Sequence, residues 1–226
     1  MPDWFDALPA GRLIAEVSLW SADLLRLADE LGRLAPHADI LHVDVADGHF
    51  APALLFFPDL VAAVRRAVAT PIHVHLMCAD AILGAQIDQF AQAGADLISV
   101  HAENANAAEM LARIRGHGLR AGLALRLSTP VADAAPLLAE ADLLTLLGTA
   151  IGVKGQGLDP AAGDRLAQAR ALARGLGRRL VLAADGGIRE HSVPLLRQAG
   201  AETVVLGSLA FAAPDLAARM AWLRGL

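Results

Sequence analysis

Short, near-continuous apolar runs alternate along this chain with longer segments whose apolar residues recur at helical spacing. The runs predict strands over Leu13–Leu19, Ile40–Val45, Ile72–Met77, Leu97–His101, Ala121–Leu125, Leu143–Leu147, Leu180–Ala184 and Thr203–Leu206. Runs with so few polar breaks read as strands covered on both faces. The intervening segments predict amphipathic helices over Ala22–Leu34, Asp59–Ala69, Ile82–Ala93, Ala105–His117, Val131–Ala139, Asp159–Leu176, Glu190–Ala199 and Asp215–Leu226. Gly94, Gly118, Pro130 and Gly200 punctuate the joints. Eight strands alternating with eight helices predict parallel βα units. In 226 residues these fit one closed α/β domain over 1–226, a (β/α)8 TIM barrel. The same alternation leaves an open doubly wound sheet as the alternative.

The polar residues that interrupt the apolar runs carry the chemistry. In a barrel, the C-terminal ends of the strands form the active face. His42, Asp44, His75, Met77, His101, Leu147, Asp185 and Gly207 all fall there. His42 and Asp44 are two residues apart on one strand, so they point to the same face. With His75 and Asp185 they supply enough donors for one divalent metal ion and an acid/base pair. The set suits Zn, Mn, Fe or Co without choosing among them. A lone histidine of this kind is more often a hydrogen-bonded interior residue; four donors at three strand ends favour an ion. His73 reads as a packed or hydrogen-bonded residue deeper in the barrel. His101 and Glu103, in SVHAEN, read as pocket-lining, orienting or helix-capping residues.

Glycines supply a second signal. Gly186 and Gly187 follow the seventh strand, Gly207 and Ser208 follow the eighth, and Gly152, Gly155 and Gly157 follow the sixth. Backbone N–H groups at such turns, next to helix N-termini, can hold an anion, and the loops after strands seven and eight are where barrels often bind phosphate.

Composition narrows the setting. Apolar residues make up 55% of the chain and aromatics 4%, so the core is built mainly from Ala, Leu, Val and Ile. The net charge of −5, with scattered Lys and Arg, argues against a nucleic-acid partner and against a basic membrane-binding surface. No uncharged apolar run approaches the length of a membrane span. The start of the chain lacks the basic and apolar stretches of a signal peptide. The single Cys78 cannot form an intrachain disulfide and reads as a small packed residue. Together these predict a cytoplasmic protein. Barrel helices often pair, so a homo-oligomer is compatible with the pattern, but nothing in the sequence marks an interface.

The segments VSLWSADLLRL, LHVDVADGHFAP, PIHVHLM, FAQAGADLISVHAE, AADGGI and AGAETVVLGSLAF, with a GxxxGQ loop at Gly152–Gln156, resemble the ribulose-phosphate 3-epimerase family over nearly the whole chain. The order HVDVxDGHF, HLM and DGG is the specific part. The resemblance implies a barrel of the ribulose-phosphate-binding type and a metal-dependent epimerase of a phosphorylated ketose. It implies His42, Asp44, His75 and Asp185 as metal ligands, with Asp44 and Asp185 as the acid/base pair. Ser18 and Met77 fall at substrate-side positions, Gly187, Gly207 and Ser208 at phosphate-binding positions, and Gly152 and Gly155 in the loop over the substrate.

The resemblance breaks in the pocket walls. Ala46 stands for the family's usual methionine in VMDG, and Ala53 for its usual asparagine. Leu147 also replaces a methionine, and Ile151–Gly155 replaces a Pro-Gly-Phe-Gly-Gly loop. Trp20 replaces a leucine, and Lys154 adds a cation that is either a phosphate contact or a solvated loop residue. D-ribulose 5-phosphate is the expected substrate. A tetrulose or hexulose phosphate, or a phosphate-binding barrel without turnover, is the alternative. The Asp-x-Lys-x-x-Asp pattern of related decarboxylases and aldolases is not in HVDVADGH, which argues against that chemistry.

Overall fold

The computed structural model describes residues 3–226. Its strands are β1 (Ile14–Ser18), β2 (Ile40–Ala46), β3 (Ile72–Met77), β4 (Leu97–His101), β5 (Arg120–Leu125), β6 (Leu143–Leu147), β7 (Val181–Asp185) and β8 (Thr203–Leu206). Each pairs in parallel with the next, and β8 closes on β1 through Ile14↔Thr203 to Val17↔Leu206. The helices are α1 (Leu27–Leu34), α2 (Pro58–Ala67), α3 (Asp80–Gln92), α4 (Ala107–Gly116), α5 (Ala162–Arg174), α6 (Val193–Ala199), α7 (Ser208–Phe211) and α8 (Leu216–Arg224). The closed (β/α)8 barrel is therefore as expected, and the open sheet is excluded.

The differences from the expected elements have local causes. The link between β5 and β6 is a 3-10 segment, Val131–Leu137, rather than an α-helix to Ala139. Pro136 lies inside it and has no N–H to donate to a regular helical ladder. Before α1, Leu24–Arg26 is also 3-10, with the Asp23 side chain accepting from the Leu25 N–H. Helix α6 starts at Val193 rather than Glu190 because Ser192 organises the preceding turn. Its hydroxyl accepts from the Arg189 N–H at 2.8 Å and lies 2.9 Å from the Gly187 carbonyl. Strand β7 is shifted by one residue and ends on Asp185 itself.

Alternation along the strands sorts the interior into layers, because residues i and i+2 face the same way. Outward-facing residues such as Val43, Val74, Ile98 and Leu144 pack with the helices in one large apolar cluster. A second cluster forms the barrel floor: Ile14, Ile40, Leu97, Leu143 and Val181, covered from below by Phe5 and Leu8. One step up, the inward residues become polar: Glu16, His42, His73, Ser99, Thr145 and Thr203 are all buried. One further step up, at the mouth, stand Ser18, Asp44, His75, His101, Leu147 and Asp185. Register locks these levels together, pairing Ser18 with His42, His42 with His73 and Asp44 with His75.

The polar middle layer fits only because β5 leaves room for it. A Cβ on Gly122 would lie 1.9 Å from Ser99 Oγ. Gly122→Ala must displace Ser99, so we expect it to cost about 1–3 kcal/mol. A urea melt checks this; an unchanged midpoint would show that the interior is not packed as described.

Candidate active site

The mouth layer, with His42 reaching up from the layer below, brings the predicted donor residues to one point. One ligand atom from each of His42, Asp44, His75 and Asp185 lies within 4.8 Å of the others. His42 Nε2 is 3.1 Å from Asp44 Oδ1. His75 Nδ1 is 3.4 Å from the same oxygen and 3.9 Å from Asp185 Oδ2. Donors at about 2.0–2.1 Å from a tetrahedral cation stand about 3.3 Å apart, so these separations suit a shared ion.

Proton accounting supports the same conclusion. Glu103 Oε2 accepts from His101 Nδ1 at 2.9 Å, which leaves Nε2 of a neutral His101 as an acceptor. His75 Nε2 lies 2.9 Å from it and therefore carries the proton. The other nitrogen, His75 Nδ1, is a bare lone pair, buried and without a hydrogen-bond partner. It faces the two aspartates. A buried lone pair aimed at carboxylates is the arrangement a cation resolves. Glu103 is in turn held by the Arg126 N–H at 2.9 Å and by the Thr129 hydroxyl. His101 thus serves to orient His75. Burial, partly offset by Glu103, lowers its pKa to about 4, consistent with the neutral form.

The two aspartates are driven apart electrostatically. Burial pushes the Asp44 carboxyl up, but the charge of His42 and its hydrogen bond outweigh it and hold the group well below the usual range. Burial and the neighbouring Asp44 charge act together on Asp185 and raise it to about 6. His42 feels burial in the opposite sense, yet Asp44 and Glu16 hold its pKa well above the ordinary value. One carboxylate that stays charged beside another that protonates near neutrality is the usual preparation for acid and base roles.

Above the ion set a cleft opens at the mouth of the barrel. Ser18, Met77, Gly152, Gly155, Gly187 and Gly207, all expected on the substrate side, line it. Ser18 donates to Asp44 Oδ2 at 2.8 Å. Ser208 begins α7 and lines an adjoining depression with Ser21 and Lys154 rather than the cleft itself. His42 is fully buried beneath. Gly187 has φ +71°, and a Cβ there would come within 2.6 Å of the Leu158 backbone, so the turn after β7 requires glycine. The four-residue α7 after β8 was not predicted, being too short for periodicity to reveal.

The sequence model of the ribulose-phosphate 3-epimerase family matches residues 14–211. The chain belongs to the ribulose-phosphate 3-epimerase family. It is 39% identical over 204 residues to ribulose-phosphate 3-epimerase 1 of Cupriavidus necator, covering 88% of this chain and 84% of that protein. It is 33% identical to the ribulose-phosphate 3-epimerase of Bacillus subtilis, covering 92% and 96%. Among solved structures it resembles a 3-hexulose-6-phosphate synthase at TM-score 0.66 and 20% identity, covering 94% of this chain and 99% of that one. It also resembles orotidine 5'-phosphate decarboxylase from Pyrococcus horikoshii at TM-score 0.65 and 12% identity, covering 93% and 97%. At those identities the structural likeness concerns the fold alone.

Within this epimerase-family barrel, the residues read from the sequence as departures from the family pattern sit in the walls. Ala46, Ala51 and Met77 form a small apolar cluster with Phe50, Ala53 and Ile151 against it. The Arg126 guanidinium lies 4.0 Å from the Phe50 ring centroid, and that ring packs 4.9 Å from His101. Lys154 is not a free loop cation. Its ammonium donates to the Trp20 carbonyl and stands 4.8 Å over the Trp20 ring, joining the loops after β6 and β1 across the cleft. Cys78 is buried, and burial, aided by the Asp47 charge, pushes its thiol up to about 12, so it is unreactive.

The Asp185 shift has a stability consequence. In the metal-free fold this carboxyl binds its proton more tightly than in the unfolded chain, where the ordinary value of 3.8 applies. The resulting cost is absent below about pH 4, grows through the interval to about pH 6, and is complete above it, at up to about 3 kcal/mol. Metal-stripped Asp185→Asn is therefore expected to be more stable than the metal-stripped parent at pH 8, with the advantage shrinking to nothing near pH 4. Denaturant melts at both pH values check this; equal stability of the two proteins at pH 8 would contradict the charge crowding described.

Proposed function

We propose that this protein interconverts D-ribulose 5-phosphate and D-xylulose 5-phosphate by moving the C3 proton. The observation that carries the reading is the pair of carboxylates, Asp44 on β2 and Asp185 on β7, converging on one point with His42 and His75. Inversion next to a ketone requires a base on one face of the carbon and an acid on the other. Asp44, ionised and steadied by Ser18, takes the proton from one face in one direction of reaction. Asp185, facing the site from β7, returns one to the opposite face. The reverse reaction exchanges the roles.

His42, Asp44, His75 and Asp185 would hold one divalent cation, with Zn, Mn, Fe and Co all compatible with the donors. When bound, it supplies positive charge where negative charge builds on the substrate oxygens as the proton leaves. Gly187 and Gly207 offer backbone N–H groups to the phosphate, and Met77 and Leu147 line the sugar. Ser208, in the adjoining depression at the start of α7, offers the phosphate its backbone N–H. No helix among the described residues is long and apolar enough to cross a membrane. Residence in the cytoplasm, where a lone thiol stays reduced, accompanies this reading.

Proton NMR of D-ribulose 5-phosphate in D₂O with metal-loaded protein tests the proposal. Loss of the C3 proton signal with appearance of xylulose 5-phosphate is the expected result. No exchange despite bound metal would redirect the assay to tetrulose and hexulose phosphates, a reading favoured by the Trp20–Lys154 contact across the cleft. Asp44→Asn should slow turnover about 10²–10⁴-fold, since it removes a proton acceptor and a ligand together. Lys154→Ala is expected to raise KM severalfold; an unchanged KM would remove Lys154 from substrate binding.

A further inference from the structure

Glu16 is fully buried in the middle layer of the barrel, beneath the ion set and outside it. A carboxylate can only accept hydrogen bonds, so both histidines that touch it must donate. His42 Nδ1 donates to Oε1 at 2.7 Å, and His73 Nδ1 donates to the same oxygen. His73 Nε2 then accepts from the Ser99 hydroxyl at 2.6 Å, and the Thr203 hydroxyl lies 3.3 Å from Oε2. With its Nδ1 proton committed to Glu16, a neutral His42 presents the lone pair of Nε2 upward to Asp44 Oδ1, 3.1 Å away.

Glu16, His42 and His73 also form a cluster of metal-binding types. The Glu16–His42 separation of 2.7 Å is, however, a hydrogen-bond distance. It is shorter than the edge of about 3.3 Å expected around a tetrahedral cation. The lower cluster is therefore a hydrogen-bonded support and the upper one the ion site. Burying a carboxylate at such a place costs several kcal/mol in desolvation, which an apolar side chain would avoid. What the carboxylate adds is a fixed tautomer and greater basicity on the imidazole above it.

We propose that Glu16 is a positioning residue for the cation site: its carboxylate holds His42 in the tautomer that offers Nε2 to the ion, and His73 with Ser99 keeps the carboxylate in line. The proposal rests on the reading of His42, Asp44, His75 and Asp185 as ligands of one ion. The test is the Zn²⁺ affinity of the purified full chain, measured by competition with a chelating dye, for the parent and for Glu16→Gln. Thermal melts accompany each titration.

Glu16→Gln keeps an acceptor but loses the charge, and we expect it to fold and to bind Zn²⁺ about 10–100-fold more weakly. A folded Glu16→Gln with parental affinity overturns the proposal, because a merely structural glutamate would alter the melt and not the affinity. A parent that binds no Zn²⁺, Mn²⁺ or Co²⁺ overturns the ion site itself, a separate failure. Should Glu16→Gln not fold, the His73 pair decides. His73→Gln can still donate to Glu16 and should retain parental affinity, whereas His73→Leu should weaken it. Equal affinities in those two variants would also overturn the proposal.

Discussion

His42 has a carboxylate at each ring nitrogen, Glu16 below at 2.7 Å and Asp44 above at 3.1 Å. An imidazole between two buried anions must carry an extra proton or share the upper side with a cation. Much of the interior follows from that constraint. The proton on Nδ1 is fixed from below, so Nε2 is what the mouth receives. His75 is governed in the same manner from the side, through His101 and Glu103. Each imidazole thus has its outward nitrogen chosen by a carboxylate that does not reach the cleft.

Such an arrangement needs a fold that stacks layers at fixed spacing, and a closed parallel barrel provides one. Two residues along a strand raise a side chain by one level while keeping it inside. Glu16 and Ser18 on β1 and His73 and His75 on β3 place a supporting group at one level and a mouth group at the next, while β2 places two ion donors, His42 and Asp44, on successive levels. The apolar floor beneath, with Phe5 and Leu8, keeps water from the polar layer. Most buried polar groups inside the barrel have a partner; His75 Nδ1, which faces the ion set, and Thr145 Oγ1, in the layer below, do not.

The parts of the structure set by strand alternation were legible in the sequence. β3, β4, β6 and β8 have the predicted bounds, and the donor residues at the ends of β2, β3 and β7 do converge. What escaped depends on contacts between distant segments or on elements too short to have a period. Glu16 gave a signal that went unused: a lone acid in the apolar run LIAEVSL, on a strand expected to be covered on both faces. Its partner is 26 residues away, and nothing local identifies it. The bond from Lys154 to Trp20 spans 134 residues and joins two loops, so the choice between phosphate contact and solvated lysine omitted the geometry actually found. The 3-10 segment with Pro136 imitates helical spacing for seven residues without sustaining a helix.

The ion set and most of the cleft walls stand on different parts of the fold. The donors stand on strands whose register is fixed by the whole barrel, so a change there disturbs pairing, layering and proton placement together. Of the wall positions, Ala46 and Leu147 end β2 and β6 and share that register, whereas Trp20, Ala53 and Lys154 lie in the loops after β1, β2 and β6, where Lys154 meets Trp20 across the cleft and Ala53 packs on the Ala46–Met77 cluster. Loops of this kind can change while the strand ends hold the reacting groups in place. The 3-hexulose-6-phosphate synthase and orotidine 5'-phosphate decarboxylase folds make the complementary point, since barrels of closely similar shape carry other names and little shared sequence. Shape therefore does not separate these chemistries; the residues at the strand ends do. In this chain those residues form two imidazoles and two carboxylates around one point, with no lysine among them.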